Sequence, residues 1–262
     1  MFGFPNSCHS RTSFKRNFLK SVVFQIQFDT NDNIIIEKEG IKKIFISTFP
    51  RVQDTISKGF ELKMNANQTP IVHPISDKNA GYEMRTQNGQ STIAFSSDTI
   101  NFISSGKDYN TFDEFFYEIS GVKEVFKLCN INVLKRIAIR KINIIDFEIP
   151  ETEKSCSMDV ISMVLSSDLL SNLNYFPNKQ FIKNNIHNIN FINEDNLLNL
   201  KYGLITPNVK SNNGQIVIDI DLIDKRNNKV KDLNKISKSI NKEIFNIFCW
   251  TLNEEAIIHL KS

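Results

Sequence analysis

Two aspartates on one predicted strand are the first residues in this chain whose types and spacing suit chemistry. Asp219 and Asp221 lie in Gln215-Ile-Val-Ile-Asp-Ile-Asp-Leu-Ile223. In extended chain they share a face, with carboxylates about 7 Å apart, a spacing that suits Mg²⁺ or Ca²⁺. Asp224 joins them if the strand ends in a turn. A solvated strand face paired with Arg or Lys on a neighbour accounts for the same residues. Arg136 and Arg140 form a second pair, on one face of Ile131–Phe147, with Lys135 and Lys141 on the other side. They read either as an anion or nucleic-acid contact or as cross-strand partners of Asp219 and Asp221. A third group, Lys231, Lys235, Lys238 and Lys242, lies opposite the apolar stripe of the last long helix. It is a solvated helix face or a nucleic-acid contact.

Other chemistries find little support. His9, His73, His187 and His259 have no Cys, Ser or acidic partner at recognisable spacing, and the four cysteines never form Cys-x-x-Cys. GxGxxG, GxxxxGK[ST], HExxH and GxSxG are all missing, which argues against the common dinucleotide, nucleotide, zinc-protease and hydrolase sites. With 9 glycines in 262 residues, tight phosphate-cradling loops are few. A net charge of +3 is too balanced for a dedicated nucleic-acid binder, though a local patch fits it. No cofactor is expected beyond a divalent ion at Asp219 and Asp221. The first 20 residues carry no apolar leader core, and no stretch reaches 18 apolar residues, so a cytosolic protein without membrane contact is expected.

The elements that position these residues alternate between two periods. Val22, Phe24, Ile26 and Phe28 mark a strand; Ile34 to Phe49 have helical spacing, stopped by Pro50; Ile56 to Met64 mark a second strand. Residues 65–90 read as a long polar loop. A hairpin follows, with Ile93 and Phe95 on one arm, Ile100 and Phe102 on the other, and Ser96–Asp98 as the turn. Thr111-Phe-Asp-Glu114 has the form of a capping box and opens one aromatic-rich helix to Cys129. The central strand to Phe147 alternates apolar and charged faces, as in an antiparallel sheet with one open side.

After Pro150 comes a linker, then a segment at 159–170 ambiguous between helix and strand. A strand at Ile189 and Phe191 and another over Leu198–Leu204 follow, separated by a turn at 193–195. Asn212-Asn213-Gly214 has the form of a hairpin turn. Leu233 to Phe248 form an amphipathic helix capped by Asp232, and Asn253–Leu260 a terminal one. Phe2, Phe4, Phe14 and Phe18, interleaved with basic residues, read either as a nucleic-acid arm or as an irregular lead-in docked on the core. Each half thus carries a hairpin, a polar linker and a long amphipathic helix, at 91–129 and 197–248. The expected fold is α+β, with two duplicated halves (1–150 and 151–262), each an antiparallel sheet covered by a helix.

Several short words extend this reading: Phe24-Gln-Ile-Gln-Phe28, Phe49-Pro50, Arg140-Lys-Ile-Asn143, Ile218-Asp-Ile-Asp221 and Glu243-Ile-Phe245. In this order they resemble a sporadically distributed prokaryotic family of about this length whose activity is not established. Lys141 stands where that family usually has an aromatic, and Phe248-Cys-Trp-Thr251 replaces its more regular helix joint. The resemblance implies an architecture and no catalytic residues, and sporadic distribution is associated with accessory or host-defence genes. The expected function is non-enzymatic binding or assembly in a cytosolic complex, with a protein partner or a second copy. The alternatives are nucleic-acid association through the basic residues and, more remotely, metal-dependent catalysis at Asp219 and Asp221.

Overall fold

A computed structural model describes residues 1–15, 18–55, 59–63, 71–75, 81–106, 109–148, 157–170, 184–205 and 213–262. Strand β1 (Leu19–Phe28) is followed by short helices α1 (Asn33–Ile36) and α2 (Lys38–Phe45) and by β2 (Arg51–Thr55). The hairpin β3 (Gly59–Lys63) and β4 (Ile71–Ile75) precedes a meander of β5 (Gly81–Arg85), β6 (Ser91–Phe95) and β7 (Thr99–Ser105). Helices α3 (Phe112–Glu118) and α4 (Val122–Leu128) lead into β8 (Val133–Glu148). Beyond it come α5 (Ser157–Val164), α6 (Ser167–Leu170), β9 (Asn185–Ile192), β10 (Asn196–Ile205), β11 (Asn213–Asp224) and the two-residue β12 (Asn228–Lys229). Helices α7 (Leu233–Thr251) and α8 (Glu254–Lys261) end the chain.

All strands except β3 and β4 join one antiparallel sheet, ordered β2-β5-β6-β7-β1-β8-β11-β10-β9, with β12 beside β8. The expectation of one sheet per half is corrected here. The stretch Ile137–Asn143 of β8 pairs with β1 on one side and β11 on the other, so the halves share a continuous ladder. The physical reason is that β8, at 16 residues, offers two long free edges, and each half supplies a strand for one of them. The topology on either side is alike. The last meander strand pairs with that side's first strand, β7 with β1 and β11 with β8, and helices lie before and after the meander. The boundary at 150/151 lies outside the described residues.

Register sets one apolar layer across the sheet. Phe24 is opposite Phe102 and Ile139, Ile139 opposite Leu222, and Leu222 opposite Leu198. Every one of these side chains is buried, each worth about 1.5–3 kcal/mol on transfer from water. The described helices touch this same covered face. Phe45 of α2 meets Phe95 and Phe102, Phe116 of α3 meets Phe24, and Phe126 of α4 meets Phe28. Leu169 of α6 accepts a hydrogen bond from Tyr202, and Asn241 of α7 one from Lys141. The lead-in docks there too: Phe14 is buried against Phe245, and Phe4 packs on Phe191 and Trp250.

Several local expectations hold and others shift. Thr111 Oγ1 accepts the Glu114 N–H at 3.2 Å, the predicted cap. The helix it opens breaks at Ser120-Gly121. There α2 comes so close that a Cβ on Gly121 would lie 2.6 Å from Ile44. The helix expected over Ile34–Phe49 divides into α1 and α2, and residues 159–170 fall in α5 and α6, parted at Leu165, which forms an antiparallel bridge with Leu252. Asp232 does not cap α7, because it sits within the 3-10 turn Val230–Asp232 that runs straight into the helix. Asn213 and Gly214 lie in β11 opposite Glu148 and Phe147, because the long β8 keeps offering partners past the expected turn; Asn212 lies outside the described residues. Strands β4 and β5 fall within the expected loop, and Tyr82 and Met84 of β5 are core residues. Ile56, Met64 and residues 151–156 of the linker expected over Glu151–Ser157 lie outside the described residues, while Ser157 already begins α5.

Candidate functional sites

The sheet's second face carries no described helix, and the predicted Asp and Arg pairs meet on it. Asp221 is in register with Arg140, and Asp219 with Ile142. The guanidinium of Arg140 reaches diagonally to Asp219, Nε to Oδ1 at 2.8 Å and Nη2 to Oδ2 at 2.6 Å. This bidentate fork holds a carboxylate whose side chain is 9% exposed, while Arg140 remains 48% exposed. Arg140 is pushed to a higher pKa, chiefly by that hydrogen bond. Asp221 accepts from Asn199 Nδ2 at 3.1 Å on β10. Its carboxyl is held above the ordinary range, first by burial and then by the negative charge of Asp219. The Asn199 bond and the charges of Arg136 and Arg140 oppose the rise. Asn188 and Lys201 complete the lining of a shallow cleft of about 270 Å³.

Both oxygens of Asp219 therefore face a guanidinium. A divalent ion bridging Asp219 and Asp221 would have to displace Arg140. Among the described residues, no three His, Cys, Asp or Glu side chains converge in a way that could hold a metal. Asp224 does not join the pair. It lies on the covered face, fully buried, and accepts hydrogen bonds from Arg226 and Asn228 that tie down the turn after β11. Those bonds outweigh the burial penalty and lower its pKa.

The basic residues do not make one patch. Arg136 and Arg140 lie on the open face, whereas Lys231, Lys235, Lys238 and Lys242 are exposed along α7 and the turn before it, on the other side of the sheet. Lys238 pairs with Asp113 at 2.8 Å. Lys141 faces the helices: its ammonium donates to Tyr109 Oη at 3.0 Å and Asn241 Oδ1 at 2.7 Å. Asn143 donates to the Ile218 carbonyl within the sheet. His187 stacks on Tyr202 with ring centroids 5.2 Å apart, so it serves packing on the covered face.

A third feature lies at the outer edge of the sheet. The outer strand β9, Asn-Ile-His-Asn-Ile-Asn-Phe-Ile, pairs only with β10 among the described residues. Over eight residues it contains no Lys, Arg, Asp, Glu or Pro, and Ile192 at its end is 70% exposed. Natural edge strands are usually blunted by such residues, by bulges or by being short. Lack of charge is visible in the sequence, but edge position is not. The cleft partners Asn188, Asn199 and Lys201 were missed for the same reason, since strand neighbours are non-local.

No family model matches the chain, and no curated protein matches it.

Proposed function

We propose that this chain is a non-enzymatic assembly protein of a cytosolic complex, and that it joins a second copy of itself through β9. The observation that carries the reading is the eight-residue edge without a charge or a proline. Its outward N–H and C=O groups form a template that another strand satisfies. Antiparallel pairing about a two-fold axis at Ile189 sets Ile186 opposite Ile192 and Asn188 opposite Asn190 on the open face. His187 then meets Phe191 on the covered face. Like meets like, the exposed Ile192 gains an apolar neighbour, and both covered layers continue into one. An isologous contact of this kind closes as a dimer and leaves no further β9 edge.

The alike order of strands and helices on either side of β1 and β8 supports descent of the two halves from one duplicated unit. The resemblance noted above would place such an assembly among accessory or host-defence genes.

The test is molar mass by light scattering across a range of concentrations. The wild-type chain should approach twice the 30.2 kDa of one copy. The double variant Asn188→Lys with Asn190→Lys sets ammonium groups opposite each other in the dimer and should weaken it by roughly tenfold or more. Monomer mass at every concentration would contradict the proposal.

A further inference from the structure

A groove on the helix side lies between the end of α4 and the turn preceding α7. Lys123 and Lys127 stand one helical turn apart on α4, and Lys231 faces them from the 3-10 turn. Asn130 and Asn132 line the same cavity of about 560 Å³. Asn130 holds its place through a left-handed φ of 55°, with the Ile131 N–H bonded back to the Phe126 carbonyl at 2.8 Å. Lys20, Lys38, Lys42, Lys135 and Lys238 each have a carboxylate partner. Lys123, Lys127 and Lys231 have none among the described residues. Among the described residues, three unpaired ammonium groups therefore surround one recess that no acidic side chain lines.

We infer that this groove and the lysines beyond it on α7 form a track for the phosphate backbone of a nucleic-acid strand. Shape decides for a linear polyanion over a single small anion. Lys235 and Lys242 are two turns apart on the same side of α7, and Lys231 lies just before them, so the cations extend roughly 15 Å beyond the groove. That length exceeds what a single phosphate can fill and accommodates successive phosphates of one strand. A lone phosphate would occupy the groove and leave the row unused. The ring of Phe126 is buried in the floor, so no aromatic platform is offered to bases, and the contact reads charge without sequence. The surface is separate from β9, so it stands or falls independently of the assembly reading.

The test is fluorescence anisotropy with a labelled single-stranded oligonucleotide at several salt concentrations. Wild-type protein should bind, with log affinity falling linearly against log salt. The variant Lys123→Glu, Lys127→Glu, Lys231→Glu should lose at least about tenfold in affinity and flatten that slope by roughly two. The charge-matched control Lys20→Glu, Lys43→Glu, Arg51→Glu changes exposed cations elsewhere and should lose far less. Equal losses in the two triple variants, or a wild-type chain that retains no oligonucleotide at low salt, would overturn the assignment. So would equal retention of a phosphorylated peptide in place of the strand. Circular dichroism of both triple variants verifies that they fold.

Discussion

At one margin of the sheet, β2 carries Arg51 and Asp54 within five residues and follows Pro50; Asp54 is tied to Lys38. At the other margin, β9 runs for eight residues with nothing but amide, imidazole and hydrocarbon side chains. A strand added to β2 would meet charges that it must desolvate, whereas one added to β9 would meet amides and isoleucines. Among the described residues, charge guards one edge and not the other. Nonspecific stickiness would not predict that asymmetry, and an intended partner does.

The largest effect should come from Gly203 of β10, which holds β9 in place. Its φ of 141° suits glycine, and an added Cβ would lie 1.8 Å from the carbonyl oxygen of Asn185. Gly203→Ala should cost about 3 kcal/mol by urea denaturation and should abolish dimer formation with it. A loss below about 0.5 kcal/mol would mean that β9 does not approach β10 as described.

Removing Arg140 separates stability from assembly. Arg140→Ala leaves the buried carboxylate of Asp219 without its fork and should cost about 2 kcal/mol, a fall in Tm of several degrees. Removing Asp219 as well should recover part of that loss. Neither variant should change the molar mass, because the cluster lies inboard of β9.

Gly121→Ala tests the joint between α3 and α4. Its Cβ would press on Ile44 and Phe45 and should cost about 1 kcal/mol, again without affecting assembly.

The smallest effect concerns Asp221. Its folded pKa is raised, so the stabilising form is protonated, and that contribution is lost as pH rises through the folded value. Asp221→Asn mimics the protonated form. It should unfold at slightly higher temperature than wild type near neutral pH, and at the same temperature below about pH 3, where aspartate is protonated in both states. A lower Tm for Asp221→Asn at neutral pH would show that the charged carboxylate is favoured by its neighbours after all.

What the sequence made legible was local. Alternation exposed β1, β8 and β11; the Thr111 cap and the apolar stripe of α7 followed from helical spacing; and Ser96–Asp98 marked its hairpin. What it hid depended on neighbours. That β8 serves both halves, that Arg140 reaches past Asp221 to Asp219, and that Lys123 and Lys127 face Lys231 are facts of strand and helix placement across 65 residues or more. Tyr82 and Met84 are too short an alternation to announce β5 against the polar residues around them. Gly121 reads as a weak point in one helix until α2 is seen packing on it.

The most direct test of self-assembly is disulfide trapping at the two edges. In a background with Cys8 and Cys156 changed to serine, single cysteines replace Ile189 on β9 or Val52 on β2. The native Cys129 and Cys249 are buried, and burial pushes the Cys129 thiol up to about 11 and raises that of Cys249 as well, so neither should react. A two-fold at Ile189 sets its two copies directly opposite, about 4.5–5.5 Å apart between Cα atoms, within disulfide reach. Self-pairing through β9 predicts a covalent dimer from Ile189→Cys under mild oxidation and none from Val52→Cys. Equal cross-linking at both edges, or none at Ile189, would contradict it.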